Sequence, residues 1–494
     1  MSQFFNRLPG ILALCLLTIG LFYAGGAFAQ DAAAPAPTTE AAAPATPVAD
    51  AAAAVETAAA EVAEAVVPEE EAAAPTLLAH QAVAEVDAAA SSWILTSTAL
   101  VLLMTLPGLA LFYGGMVRRK NVIATITQSV GVAAVVSLAW FGAGYSLAFG
   151  VGQPAFGFDG DTVQSFIGSL QAVFLNGVTM ETAYSAAPGL PEYLWIAFQM
   201  TFAIITPALV TGAFAERFKY SALLLFTALW SLLIYAPICH WVWGGGFLGS
   251  AGVLDFAGGA VVHVNSGVAG LVCAIFLGRR KGYGTEVITA HNPVLTMIGA
   301  SLLLVGWIGF NAGSAGAAND LMGVALLNTI LAAAAAALTW KVVEYIEKKK
   351  VSLIGVLSGV VAGLVAITPA AGFVDPKGAV IIGLIAGPAC YASSVWIKKL
   401  LRYDDSLDAF GIHGAGGLIG ALLTGVFATT AINSLSEGAN VGAQALGLLW
   451  TIVYSAVGTL IILFICKFTT GLRVSEAEEA AGLDTSLHGE ALEH

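Results

Sequence analysis

Two histidines stand in parts of this chain where ionisable side chains are costly. His263 ends the run Leu254-Asp-Phe-Ala-Gly-Gly-Ala-Val-Val-His263, and His413 lies in Phe410-Gly-Ile-His-Gly414; each opens onto a long apolar, glycine-rich stretch. A neutral imidazole has one donor and one acceptor nitrogen. Two facing rings can share one hydrogen bond and each offer a remaining nitrogen to a lumen. That lining suits a small hydrogen-bonding solute or a proton. It suits a bare metal ion poorly, because no Cys, carboxylate or further His clusters with the pair. One such histidine would read as a polar tie between helices. Two at corresponding places read as the lining of a path.

Asp255 stands eight residues before His263 and follows Trp243-Gly-Gly-Gly246. It can cap the next helix, where the helix dipole favours a carboxylate, or draw a cation toward a mouth. Phe198 and Phe202 fall one turn apart; Trp307, Phe310, Asn311 and Ser314 share another stretch. Trp241 and Trp243 sit where an interfacial belt places tryptophan. Packing and anchoring account for each aromatic singly. Together they can cage a cation, at about 0.5–2 kcal/mol per good contact. Ser314 can accept a hydrogen bond from an N–H donor.

The elements that must position these groups are membrane helices. The chain has 494 residues, 58% hydrophobic and 10% charged, with a mean hydropathy of +0.85. A soluble globule carries about 25% charged residues. A crossing helix needs about 20 apolar residues for a core of about 30 Å. Such stretches fall at 92–116, 122–149, 193–215, 220–243, 257–277, 293–312, 321–344, 352–370, 378–397, 409–430 and 443–467. The expected fold is all-α, a polytopic membrane protein with 11 transmembrane helices. With the first span starting outside, every basic residue after position 90 except Lys377 falls on the inner side: Arg118-Arg119-Lys120, Arg217, Lys219, Arg279-Arg280-Lys281, Lys341, Lys348-Lys349-Lys350, Lys398-Lys399, Arg402, Lys467 and Arg473. Cytoplasmic loops carry this excess. The N-terminus is thus expected outside and the C-terminus in the cytoplasm.

An odd count suggests two inverted five-helix halves plus one C-terminal helix, a common transporter plan. The fifth span reads His263-x3-Gly267-x2-Gly270 and the tenth reads His413-x3-Gly417-x2-Gly420; the third holds Ile205-Thr-Pro-Ala208 and the eighth Ile367-Thr-Pro-Ala370. His263 lies about 12 Å in from Asp255 at about 1.5 Å rise per residue. His413, a few residues past Asp408, approaches from the other face. Both reach the midplane. The 56 glycines let helix backbones approach closely.

The ends of the chain read differently. Residues 1–29 resemble a signal peptide, with Arg7, an apolar run and Ala27-Phe-Ala29; an uncleaved anchor is the competing reading. Residues 30–90 form an Ala/Pro-rich acidic linker, expected to be periplasmic and disordered, holding eleven acidic residues and no Lys or Arg. The membrane domain is placed at 91–472 and a cytoplasmic tail at 473–494. The acidity of the chain belongs to the linker, and no basic patch points to nucleic acid. The five cysteines, none in a CxxC pair, read as buried thiols rather than a disulfide or metal framework. No cofactor is expected. The absence of a nucleophile–base pair speaks against an enzyme.

Trp307-Ile-Gly-Phe-Asn-Ala-Gly-Ser314, Trp243-Gly-Gly-Gly246, Leu254-Asp-Phe-Ala-Gly-Gly259 with His263, and Phe410-Gly-Ile-His-Gly414 resemble motifs of the Amt/Mep/Rh ammonium transporter family, specifically a bacterial Amt-type member. Pro107-Gly-Leu-Ala-Leu-Phe-Tyr-Gly-Gly115, Gly144-Tyr-Ser-Leu-Ala-Phe-Gly150 and the tail Gly482-Leu-Asp with His488-Gly-Glu490 extend the resemblance over roughly 92–490. It implies ammonium recruitment at Trp243, Phe202 and Ser314, with Phe198 and Trp307 as aromatic surround and Asp255 near the mouth. It implies a gate of Phe202 and Phe310 and a pore lined by His263 and His413. It also implies a homotrimer and a P-II-type regulatory protein at the cytoplasmic face. Met200-Thr201 before Phe202 departs from the smaller residues usual there. The resemblance leaves two rivals to a transporter: an ammonium sensor read through the tail, and a Rhesus-type gas channel, which generally lacks the Trp243/Ser314 pair.

Overall fold

The computed structural model describes residues 80–82, 85–150 and 163–492. The 1–29 leader and most of the 30–90 linker lie outside them. Ten helices are long and apolar enough to cross a membrane: α1 Ala88–Met116, α2 Arg119–Phe149, α3 Glu192–Phe214, α4 Tyr220–Ser250, α5 Gly259–Leu277, α6 Pro293–Gly313, α7 Asp320–Lys348, α9 Pro376–Leu401, α10 Phe410–Phe427 and α11 Val441–Thr469. The eighth expected span, 352–370, is instead the 15-residue α8, Leu353–Ile367. At about 1.5 Å per residue it is shorter than a full crossing. Pro369 explains the early stop, since proline cannot supply the N–H that would continue the helix. Turns carry the chain on to Phe373.

Helix starts follow local chemistry. Asp87, Asn292, Asn319, Ser352, Asp375 and Asn440 each cap a helix with a side-chain oxygen on a free backbone N–H. Asp87 corrects one expectation. The last residues of the linker are ordered, because Asp87 caps α1 and its N–H donates to Gly189. Just upstream, β1 (His80–Ala82) pairs antiparallel with β2 (Thr182–Tyr184), a small addition to an otherwise helical fold.

The loops behind α1, α3, α5 and α9 meet at one end of the bundle. Buried Glu216 accepts from Arg118 at 2.9 Å and from Arg280 at 3.2 Å, and Arg280 also pairs with Asp404 at 2.9 Å. The tail joins them. Its short helix α12, Glu476–Ala481, starts with a Ser475/Glu478 capping box. Glu479 takes Arg473 and the Lys281 N–H, Leu483 N–H donates to Asn121, and Asp484 accepts from Ala124 N–H. Arg118, Arg280, Lys281 and Arg473, which the topology puts on one side, therefore meet at one face.

Helices α5 and α10 cross antiparallel at glycine. A methyl group at Gly267 would run into the backbone of Gly414. One at Gly417 would lie 2.8 Å from the Gly259 carbonyl oxygen and 3.1 Å from the His263 Cβ. The two contacts are related by the inverted repeat, and they set how close the histidines come. Overpacking such a site costs about 1–3 kcal/mol or more. Gly267→Ala and Gly417→Ala are expected to lower the unfolding temperature in detergent, whereas Gly323→Ala, on α7 with open space around it, leaves it unchanged. Equal melting of all three would show that the crossing is not tight.

Candidate functional site

The site is built on two carboxylates. Asp255 Oδ1 accepts the N–H groups of Gly258 and Gly259, and Oδ2 those of Ala260 and Val261, at 2.5–3.1 Å. Of the two readings open from the sequence, the cap is what the contacts describe: all four first N–H groups of α5 end on one side chain. Its backbone carbonyl takes the Trp243 indole N–H at 2.8 Å, so the cap also fixes Trp243. A wide, π-type turn over Gly259–Val264 then carries His263. The other half repeats the device with Asp405, which accepts from Ala409 and Phe410 N–H groups at 3.0 and 2.8 Å, ahead of the wide turn Phe410–Gly414 with His413. Asp408, the sequence landmark nearest His413, is instead paired with Lys398. Asp405 is eight residues before His413, as Asp255 is before His263; that matched spacing was the signal that could have found it.

Between these turns runs a column of rings. Trp243 and Phe202 lie 5.9 Å apart at 89°, and Phe202 stacks on Phe310 at 4.3 Å and 26°. Phe310 is 5.9 Å from His263, and His263 is 5.3 Å from His413 at 20°. The histidines are 1% and 5% exposed. The near-parallel rings share no hydrogen bond; both nitrogens of His263 and Nδ1 of His413 lack a partner. Above the phenylalanines lies a vestibule of about 450 Å³ whose wall includes Phe198, Phe202, Trp243, Asp255 and Ser314. Below them is a lumen of about 10 Å³ lined by Phe310, His263, His413, Trp307 and Met104 among others. The Ser314 hydroxyl donates to the Phe310 carbonyl at 2.8 Å, which leaves its lone pairs as acceptors toward the vestibule.

A profile of the Ammonium Transporter Family matches residues 92–492. The chain belongs to the Ammonium Transporter Family. It is 47% identical over 417 residues to "Ammonium transporter" of Aquifex aeolicus, covering 83% of this chain and 95% of that protein. It is 45% identical over 406 residues to "Ammonium transporter Amt1" of Archaeoglobus fulgidus, covering 81% and 97%. The crystal structure of Saccharomyces cerevisiae Mep2 superposes with a TM-score of 0.71 at 35% identity, covering 79% of this chain and 88% of that one. A "Sensor Amt Protein" superposes with a TM-score of 0.72 at 30% identity, covering 81% and 98%. The two sequence relatives are named as ammonium transporters. This family member is a multi-pass membrane protein.

In this Ammonium Transporter Family chain, eight of the nine residues named from the sequence lie in the ring column or the vestibule wall. Trp307 does not join the vestibule. It lies beyond Phe310, stacks on His263 at 5.4 Å and donates its indole N–H to Thr368 at 2.9 Å. The reason is rise along the helix: Trp307 lies three residues before Phe310 and Ser314 four residues after it on the same face, about 4.5 Å and about 6 Å along the axis in opposite directions, so the two sit at opposite levels relative to the Phe310 ring. The sequence also missed Gln199 and Trp195 of α3, which wall the vestibule.

Asp405 lies between α9 and α10, outside the membrane spans. Burial first, then the Asp408 carboxylate, pushes its carboxyl up to about 6, from an unfolded value of about 3.9. The folded protein therefore keeps this proton when the unfolded chain has lost it, and stability falls as pH rises from about 4 to about 6. Thermal melts of wild type and Asp405→Asn across that window are expected to diverge at low pH in favour of wild type. Parallel curves would remove Asp405 from the pH response.

Proposed function

We propose that this protein moves ammonium nitrogen across a membrane, capturing the ion in the aromatic vestibule and passing it on as ammonia. The observation that carries the reading is the ring column that joins a wide vestibule to a narrow, buried, histidine-lined lumen. An ammonium ion entering that lumen would forfeit most of its hydration, and a few cation–π contacts of about 0.5–2 kcal/mol each do not replace it. The ion is held against Trp243 and Phe202, with an N–H on Ser314. It loses its proton at or above the Phe202/Phe310 gate. Ammonia then passes His263 and His413, whose unpaired nitrogens offer it hydrogen bonds. Whether the same imidazoles return the proton is separable by experiment: currents through purified protein in bilayers under an ammonium gradient mean electrogenic passage, and their absence means net-neutral passage.

The printed names of the relatives support the solute. The basic face described above supports a cytoplasmic C-terminus, with the vestibule at the outer face of an inner membrane. Signal cleavage near Ala29, a homotrimer with one pore per subunit and a P-II-type protein on the cytoplasmic face complete the reading. One observation favours a second reading: the likeness to "Sensor Amt Protein" fits an ammonium sensor read through the tail that closes on the loops at that face.

Uptake of labelled methylammonium by cells carrying each variant tests the reading. The His263→Ala/His413→Ala double variant is expected to lose at least tenfold of its uptake, about 1.4 kcal/mol in rate terms. Undiminished uptake would remove the imidazoles from the mechanism. Trp243→Leu and Ser314→Ala are expected to raise the half-saturating concentration with the maximal rate less affected; if neither does, the outer site is elsewhere.

A further inference from the structure

The vestibule wall holds polar groups that the recruitment site does not use, among them Gln199, Asn433 and the Tyr184 hydroxyl. An ammonium ion carries four N–H donors in a tetrahedron. The faces of Trp243 and Phe202 answer its charge but accept no conventional hydrogen bond. Ser314 spends its own proton on the Phe310 carbonyl and can accept one N–H. The Asp255 carboxylate is taken by four backbone N–H groups. The known acceptors therefore meet one N–H of four.

Gln199 lies three residues before Phe202 on α3, close to one turn away and so on the same side of the helix. It forms part of the vestibule wall and is 6% exposed. Its amide oxygen is enclosed and has no hydrogen-bond partner. Asn433, the other amide in the same wall, is different: its oxygen accepts from Leu435 N–H at 3.0 Å and its nitrogen donates to the Gly372 carbonyl at 3.3 Å. An unmet buried acceptor is unfavourable, and the terminal amide torsion of glutamine is broad and roughly twofold. Half a turn about it exchanges the oxygen with the amide nitrogen at the end of a side chain that lines the vestibule.

We propose that Gln199 is a substrate-binding residue, the second hydrogen-bond acceptor for an ammonium ion held at Trp243, Phe202 and Ser314. The proposal rests on the recruitment site described under Proposed function. Two acceptor oxygens in one wall favour a small cation rich in N–H over a bare monovalent ion, which needs a fuller shell of oxygens. Methylammonium, with one N–H fewer, gains less from the second acceptor.

The test is uptake kinetics in three variants. Gln199→Met keeps the shape and deletes the acceptor; it is expected to raise the KM for ammonium about tenfold, near the low end for one hydrogen bond to a charged group, while the maximal rate stays within about twofold. The KM for methylammonium should rise less. Gln199→Glu keeps an oxygen in the same place and is expected to hold KM at or below wild type. A variant that merely loosens the helix would lower the maximal rate, and Gln199→Glu would not restore it. If Gln199→Met yields little folded protein, Gln199→Asn, which draws the oxygen back by one methylene, is expected to raise KM in the same sense. Wild-type KM in Gln199→Met or Gln199→Asn, alongside a raised KM in Ser314→Ala, would overturn this proposal alone. Wild-type KM in all of them would overturn the recruitment site as well.

Discussion

The first N–H groups of a helix that begins inside a membrane protein have no water to turn to, and each one left unmet costs several kcal/mol. The helices that carry the histidines solve this with a carboxylate. Asp255 gathers four N–H groups and Asp405 two. Once the cap is fixed, so is the depth of the imidazole eight residues on. The cap at Asp255 also anchors Trp243 through its own carbonyl, so the outer aromatic wall and the buried histidine hang from one residue. A charge that the sequence leaves open as helix cap or as bait for a cation is spent on backbone.

Spacing across the pore is set by what is missing rather than by what is present. Gly267 and Gly417 bring the backbones of α5 and α10 into contact, and the rings of His263 and His413 come to lie 5.3 Å apart. With helices this close, two phenylalanine rings are enough to divide a vestibule of about 450 Å³ from a lumen of about 10 Å³. Small residues at helix interfaces are ordinary in membranes; here the same packing fixes the bore of the lumen.

Much of this was legible in the residues. Hydropathy located ten full-length helices, and the basic residues picked out the face where Arg118, Glu216, Arg280 and Asp404 meet. The paired His-x3-Gly-x2-Gly motifs pointed to an inverted pair of helices. What the sequence hid was local geometry. The short α8 hinged on Pro369, which stops a helix there, while Pro207 in the echoing motif sits inside an unbroken α3. The wide turns that aim His263 and His413 have no simple residue code. The resemblance put Trp307 in the aromatic surround of the vestibule, but it lies seven residues, two turns, before Ser314, enough to put the two on opposite sides of a ring. Asp405 was eclipsed by Asp408, whose charge is used by Lys398.

The vestibule sits at one mouth of the pore, and its affinity enters the flux in both directions. On the proposed reading, a solute leaving through that mouth must come off the same Trp243, Phe202 and Ser314 that hold it on entry. Tightening this site therefore lowers the concentration at which flux entering from that mouth saturates, but it leaves the resting point untouched. Where net movement stops is decided by the concentration and voltage differences across the bilayer, so the aromatic mouth governs how scarce a supply can be used, and the membrane governs how much is kept.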